Sequence, residues 1–216
     1  MVVLAAASIL LLLITLPMLA IAIRAAPSFA QALGQEDVGI TLRLTALTSL
    51  TAVVIIVLLG TPLALLLARR QIKAWRIIDA LVDVPVVLPP SVAGIGLLMV
   101  FGRRGLLGPL LSDLGMELAF TTAAVIIAQV FRHVTLPLAA PAILSGAALA
   151  WARTLGEFGA TILFAGNLVG RTQTMSLAIY VNFQSDLDIA LALSFLLVLV
   201  SFAVLVIVRL LPREET

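Results

Sequence analysis

Ala152-Arg153-Thr154-Leu155-Gly156-Glu157-Phe158-Gly159-Ala160-Thr161 lies within a long apolar stretch and places an arginine and a glutamate four residues apart. A charge at the bilayer centre costs roughly 2.5–3.5 kcal/mol on insertion scales, so an ionisable residue there marks a functional site by default. If this segment is helical, Arg153 and Glu157 share one face. Ala148, Ala152, Gly156 and Ala160 recur every four residues, and with Gly159 they form a small-residue surface for close helix packing. The pair has two readings. It is an internal ion pair that neutralises both charges and joins helices, or it lines or gates a translocation path, with Thr161 one turn further on.

Composition sets the class. The 216-residue chain is 62% apolar and 11% charged, with a mean hydropathy of +1.24. Soluble domains run near 45–50% apolar and about 25% charged, so a soluble core is excluded and the lipid bilayer is the solvent. The length accommodates about six spans of roughly 20 residues, with no room for a separate soluble domain. The net charge of +2 arises from basic residues scattered or placed beside apolar segments; these set orientation and do not point to nucleic acid. Without cysteine, the chain has no disulfide framework, thiolate nucleophile or Cys-based metal site, and one histidine cannot form a His-rich one. No Gly-x-Ser-x-Gly, His-Glu-x-x-His or phosphate-binding Gly-x-x-x-x-Gly-Lys is present. Catalysis, a cofactor and ATP hydrolysis by this chain itself are therefore not expected.

Working outward, the apolar segments fall at about 2–23, 44–68, 77–101, 118–131, 135–165 and 189–209. The first is charge-free; a cleaved signal peptide is its alternative reading, though the basic n-region is absent. Arg69, Arg70, Lys73 and Arg76 form the densest basic cluster, which places that loop, and with it the N-terminus, in the cytoplasm. The third segment carries Pro85, Pro89 and Pro90. Prolines remove backbone donors, which a membrane tolerates only where protein or water covers the gap; a kinked helix and a pathway-lining break both fit. Gly102-Arg103-Arg104-Gly105 falls outside, against the positive-inside rule, or instead starts a short interfacial helix reaching to Gly115, and 168–188 reads as an external loop with a short re-entrant or interfacial helix. The fourth segment is anomalous: its 14 residues give about 21 Å of helix against a core of roughly 30 Å. Arg132-His133 follows at once, with His133 read as a charged membrane-end residue. Either one helix runs through Arg132 and His133 to Pro137, or the chain lacks a piece here. A six-span topology returning the basic C-terminus to the cytoplasm favours the second reading.

At these residues the chain resembles the permease subunit of bacterial ATP-binding-cassette importers, in the molybdate branch of the sulfate/molybdate group. The resemblance is carried by Leu88-Pro89-Pro90-Ser91-Val92-Ala93-Gly94-Ile95-Gly96-Leu97-Leu98, by Gly102-Arg103-Arg104-Gly105-Leu106-Leu107-Gly108, by Val134-Thr135-Leu136-Pro137-Leu138, and most strongly by Ala152 to Asn167. It implies an all-α polytopic protein with the six transmembrane helices of the type I importer permease fold, the fourth truncated, in the bacterial cytoplasmic (inner) membrane. It further implies a homodimer, cytoplasmic ATPase subunits and a periplasmic or lipid-anchored molybdate-binding protein. On this reading Arg153, Glu157, Thr161, Pro89 and Pro90 line or gate the path, Ala152, Gly156, Gly159 and Ala160 pack helices, and Asn167 and Arg171 face the binding protein. The chain departs from the family at Phe131-Arg132, where such permeases carry a cytoplasmic Glu-Ala-Ala…Gly loop that docks on the ATPase.

Overall fold

The computed structural model describes residues 2–69, 77–78, 81–82, 84–85, 88–133, 150–151 and 153–210. Most of the basic loop at 70–76, the Val134–Leu138 stretch, the start of the fifth segment and Ala152 lie outside the described residues. Helices α1 (Val2–Ala25), α2 (Phe29–Leu33) and α3 (Glu36–Ala68) come first in the chain. They are followed by α4 (Pro90–Phe101), α5 (Gly108–Asp113), α6 (Thr122–His133), α7 (Gly159–Ala165), α8 (Met175–Ser185) and α9 (Leu187–Leu210). Among the described residues there is no β-strand. Three helices are long and apolar enough to cross a bilayer, over Ala6–Ala25, Glu36–Leu67 and Leu187–Val204.

Local chemistry sets the boundaries. Helix α3 begins at Glu36 rather than at Leu44, so the polar interval expected up to Arg43 is partly helical. Glu36 and Asp37 occupy its first turn, where acidic side chains oppose the positive end of the helix dipole. Its 33 residues make about 50 Å of helix, longer than the hydrocarbon core. Thr41, Thr45, Thr48, Ser49, Ala52 and Ile56 are buried at helical spacing and form its inner face. The threonine hydroxyls remain affordable there because Thr45 and Thr48 donate to the carbonyls of Thr41 and Leu44 at 2.8 and 2.9 Å. Helix α4 opens on Pro90, where a missing N–H costs nothing, behind an extended Pro89.

Two clusters organise the packing. Ala93 and Leu97 of α4 meet Ala124, Val125 and Ala128 of α6 and Ala160, Phe164 and Ala165 of α7. Val38 of α3 meets Met175 and Ala178 of α8 and Leu193 of α9. Helix α1 packs along α9, and Leu10 to Leu13 are all more than half exposed, as a lipid-facing helix requires. Phe29 of α2 stacks edge-on against Phe195 of α9 at 5.2 Å between centroids.

The α4–α7 crossing is the tightest described contact between helices. A Cβ on Gly94 would fall 2.8 Å from the Leu163 Cβ and 3.0 Å from the Ala160 carbonyl oxygen, and one on Gly159 would fall 2.5 Å from the Pro90 Cβ. Neither position can carry a side chain without the helices parting. Gly94→Val is expected to destabilise the purified protein by about 1–3 kcal/mol. Gly96→Ala, which meets nothing within 4 Å, is its neutral control. Thermal unfolding in detergent, followed by tryptophan fluorescence, checks the contrast; equal shifts for the two variants would remove the crossing from the core.

Candidate functional site: a buried carboxylate between two broken helices

The segment quoted at the outset is not one continuous helix. Residues 153–155 are helical, Gly156 turns, Glu157 and Phe158 are non-helical, and α7 starts at Gly159. The N–H groups of Gly156 and Glu157 reach back only three residues, to the carbonyls of Arg153 and Thr154, so the last turn tightens and ends. The break ends the helix between them, and among the described residues no Arg153–Glu157 contact within 4 Å is formed. Arg153 is exposed, whereas Glu157 is 7% exposed.

Glu157 finds its partners on α6. Its Oε2 lies 3.6 Å from Arg132 Nε, an ion pair, and 3.8 Å from His133 Nε2, both beyond hydrogen-bonding distance. Its Oε1 accepts the backbone N–H of Ala160 at 3.0 Å and so satisfies a donor at the start of α7. The Glu157 carbonyl accepts the Ser176 hydroxyl of α8 at 2.8 Å.

Arg132 binds on its other side to the proline break. Its Nη1 donates to the Leu88 carbonyl at 2.7 Å and to the Pro85 carbonyl. In an uninterrupted helix the Pro85 carbonyl would accept from residue 89, but that residue is proline and has no N–H. One guanidinium therefore replaces a donor lost at the first break and neutralises a carboxylate at the second. Further buried bonds tie in α3: Met175 N–H donates to Thr45 Oγ1 at 2.8 Å and Trp151 Nε1 to Ser49 Oγ at 2.9 Å.

Several expectations change accordingly. Arg132 and His133, read as membrane-end residues, are buried within the protein: α6 runs unbroken across Phe131–Arg132, His133 is 3% exposed and the Arg132 side chain 12%. Thr161 and Ala160 are fully buried on α7, Pro90 meets Gly159, and Pro89 fixes the entry to α4. Gly156 is exposed at the turn and not on a packing stripe. Asn167 and Arg171 belong to the opposite end of the α6–α7 pair, where the Arg171 carbonyl accepts the Thr122 hydroxyl at 2.8 Å. The residues that reading the sequence missed are Gln129, Arg132 and His133. Their spacing, i, i+3 and i+4 in an otherwise apolar helix, was the available signal.

An all-α chain with three long apolar helices and a buried, paired intramembrane charge is a polytopic membrane protein of the transporter kind. Comparison with known proteins makes this specific. The chain is 40% identical to the molybdenum transport system permease protein ModB of Mycobacterium tuberculosis, over 87% of this chain and 85% of that protein. It is 36% identical to the probable transport system permease protein NifC of Clostridium pasteurianum, over 86% and 78%, and 30% identical to a probable sulfate transport system permease, cysT of Zygnema circumcarinatum, over 83% and 75%. No family model matches the chain. The chain belongs to the molybdenum transport permease family. Each match is longer than its share of this chain. That to ModB runs over 225 positions, yet 87% of 216 residues is about 188, so about 37 positions of the relative have no counterpart here.

Glu157 and Arg132 are expected to be coupled energetically, and Glu157 and Arg153 not. Removing one partner of a buried pair costs roughly 3–5 kcal/mol, so Glu157→Ala and Arg132→Ala should each lower thermal stability steeply and Arg153→Ala hardly at all. In double-mutant cycles, Arg132/Glu157 should depart from additivity by about 0.5–3 kcal/mol. An additive Arg132/Glu157 cycle would mean the contact is not formed.

Proposed function

We propose that this chain is the membrane-spanning subunit of an ATP-driven importer for molybdate, working as a homodimer with cytoplasmic ATPase subunits and an extracytoplasmic molybdate-binding protein. The observation that carries the reading is 40% identity to a molybdenum permease over most of both chains. The buried Arg132–Glu157 pair, joined to two helix breaks, supports it as a point where helices of a transport path rearrange together. On this reading the protein lies in the bacterial cytoplasmic membrane with both termini cytoplasmic, Asn167 and Arg171 face the binding protein, and ATP is hydrolysed by the partner subunit.

Sulfate is the second substrate reading, favoured by the sulfate permease relative at 30% identity. Molybdate and sulfate are both tetrahedral dianions, and discrimination between them belongs chiefly to the external binding protein. Binding to that partner decides the matter: tight sulfate binding with none for molybdate overturns the molybdate reading.

The roughly 37 unmatched positions are best placed between Phe131 and Arg132, in a cytoplasmic loop bearing the helix that docks on the ATPase. Without that lever, ATP binding has nothing rigid to push against. The 216-residue chain is therefore expected neither to co-purify with its ATPase nor to support substrate-stimulated hydrolysis. Insertion of the ModB segment at that junction should restore both. Normal ATPase binding and oxyanion uptake by the chain as it stands would refute this placement, and coupling would then run through the Arg69–Arg76 loop.

A further inference from the structure

The hairpin that follows α4 carries apolar surface that no described residue covers. Leu106 is 85% exposed, Leu110 60% and Leu114 66%. Around α5, Leu107, Leu110 and Leu114 recur at intervals of three and four and share one face, while Ser112 and Asp113 fall on the other. This surface is held rigidly. The N–H groups of Leu106 and Leu107 donate to the carbonyls of Met99 and Val100, each at 2.9 Å. A Cβ on Gly105 or Gly108 would collide with the carbonyls of Met99 and Gly102, so the turn is pressed onto the end of α4. Arg103 Nη2 and Glu117 Oε2, 2.9 Å apart, tie the two ends of the hairpin together. The bond to Met99 sets Leu106 against the last turn of α4, whose outward residues Val92, Ile95 and Met99 are also exposed. The exposed apolar side of α4 therefore continues into that of the hairpin.

We propose that residues 102–117 form a membrane-interface anchor: the Leu107, Leu110 and Leu114 face lies in the lipid at the boundary of headgroups and acyl chains, and Arg104 stands at the level of the lipid phosphates. A segment with one apolar and one polar face settles in the plane of the interface, its apolar side buried about 5–10 Å into that boundary. Lipid is the occupant that the continuity with α4 favours, because a polytopic protein turns the exposed apolar sides of its helices to the bilayer. The charges agree. On the topology proposed above, Arg103 and Arg104 stand where the positive-inside rule does not place basic residues. Glu117 neutralises Arg103, whereas Arg104 is exposed and has no ion-pair partner among the described residues; a lipid phosphate supplies its counter-charge, with the apolar stem of the side chain lying along the acyl boundary. Because the hairpin is fixed to α4, the anchor sets the depth of that helix, and with it the α4–α7 crossing, in the bilayer. None of this depends on which substrate is carried.

The chain has no cysteine, so single nitroxide labels can be placed on it without further change. The test is the full 216-residue chain carrying Leu110→Cys, Leu114→Cys or Asp113→Cys, labelled and reconstituted alone in vesicles of phosphatidylethanolamine and phosphatidylglycerol. Spin relaxation is then measured with oxygen, which concentrates in lipid, and with a water-soluble nickel chelate. Labels at 110 and 114 should relax more with oxygen than with nickel, and the label at 113, on the opposite face, should show the reverse. Leu106→Cys, at the most exposed of these positions, reads the same surface if Leu110→Cys loses the parent's thermal transition. Nickel preference at all the leucine positions would place the hairpin in water and overturn the anchor. Exclusion of both reagents there, with broadening between spins, would mean that a second copy of the chain covers the face, and would equally overturn lipid as its occupant.

Discussion

The constraint on which the described structure turns is the need to satisfy backbone groups and charges where no bulk water can. Pro89 deprives the Pro85 carbonyl of its helical donor, and the Gly156–Phe158 break leaves α7 with free N–H groups. Either break alone would be costly in a bilayer. Arg132 and Glu157 meet both demands: the guanidinium supplies the Pro85 and Leu88 carbonyls, the carboxylate supplies the Ala160 N–H, and the two neutralise each other. An ion pair of this kind contributes little net stability over an apolar replacement. What it provides is a fixed relation between segments that lack a continuous helix.

Packing around that node follows from small side chains. Gly94 and Gly159 bring α4 and α7 within reach of each other's backbone, and Ala124, Ala128 and Ala160 do the same between α6 and α7. In a membrane, helices gain nothing from hiding apolar surface from water, so close van der Waals contact and interhelical hydrogen bonds carry the association. The Thr45–Met175 and Ser176–Glu157 bonds extend the same logic to α3 and α8. The outer helices α1 and α9 lie on this assembly with most of their apolar surface turned outward, toward lipid.

The described part of α6 carries two polar side chains into the node. Arg132 and His133 of α6 both lie beside the Glu157 carboxylate.

The all-α polytopic class was legible in the sequence, and Glu157 stood out as a candidate, because hydropathy and the cost of an intramembrane charge are local properties of the chain. The glycines and prolines at both breaks were visible for the same reason. The partner of Glu157 was not. Four-residue spacing pairs Arg153 with Glu157 only if the helix continues, and the turn at Gly156 ends it. Ion pairing between segments 25 residues apart depends on how α6 and α7 pack, which no local pattern encodes. The fate of His133 was hidden likewise: beside Arg132 it has the sequence signature of a membrane end, and only the tertiary structure buries it beside a carboxylate that comes from the break before α7.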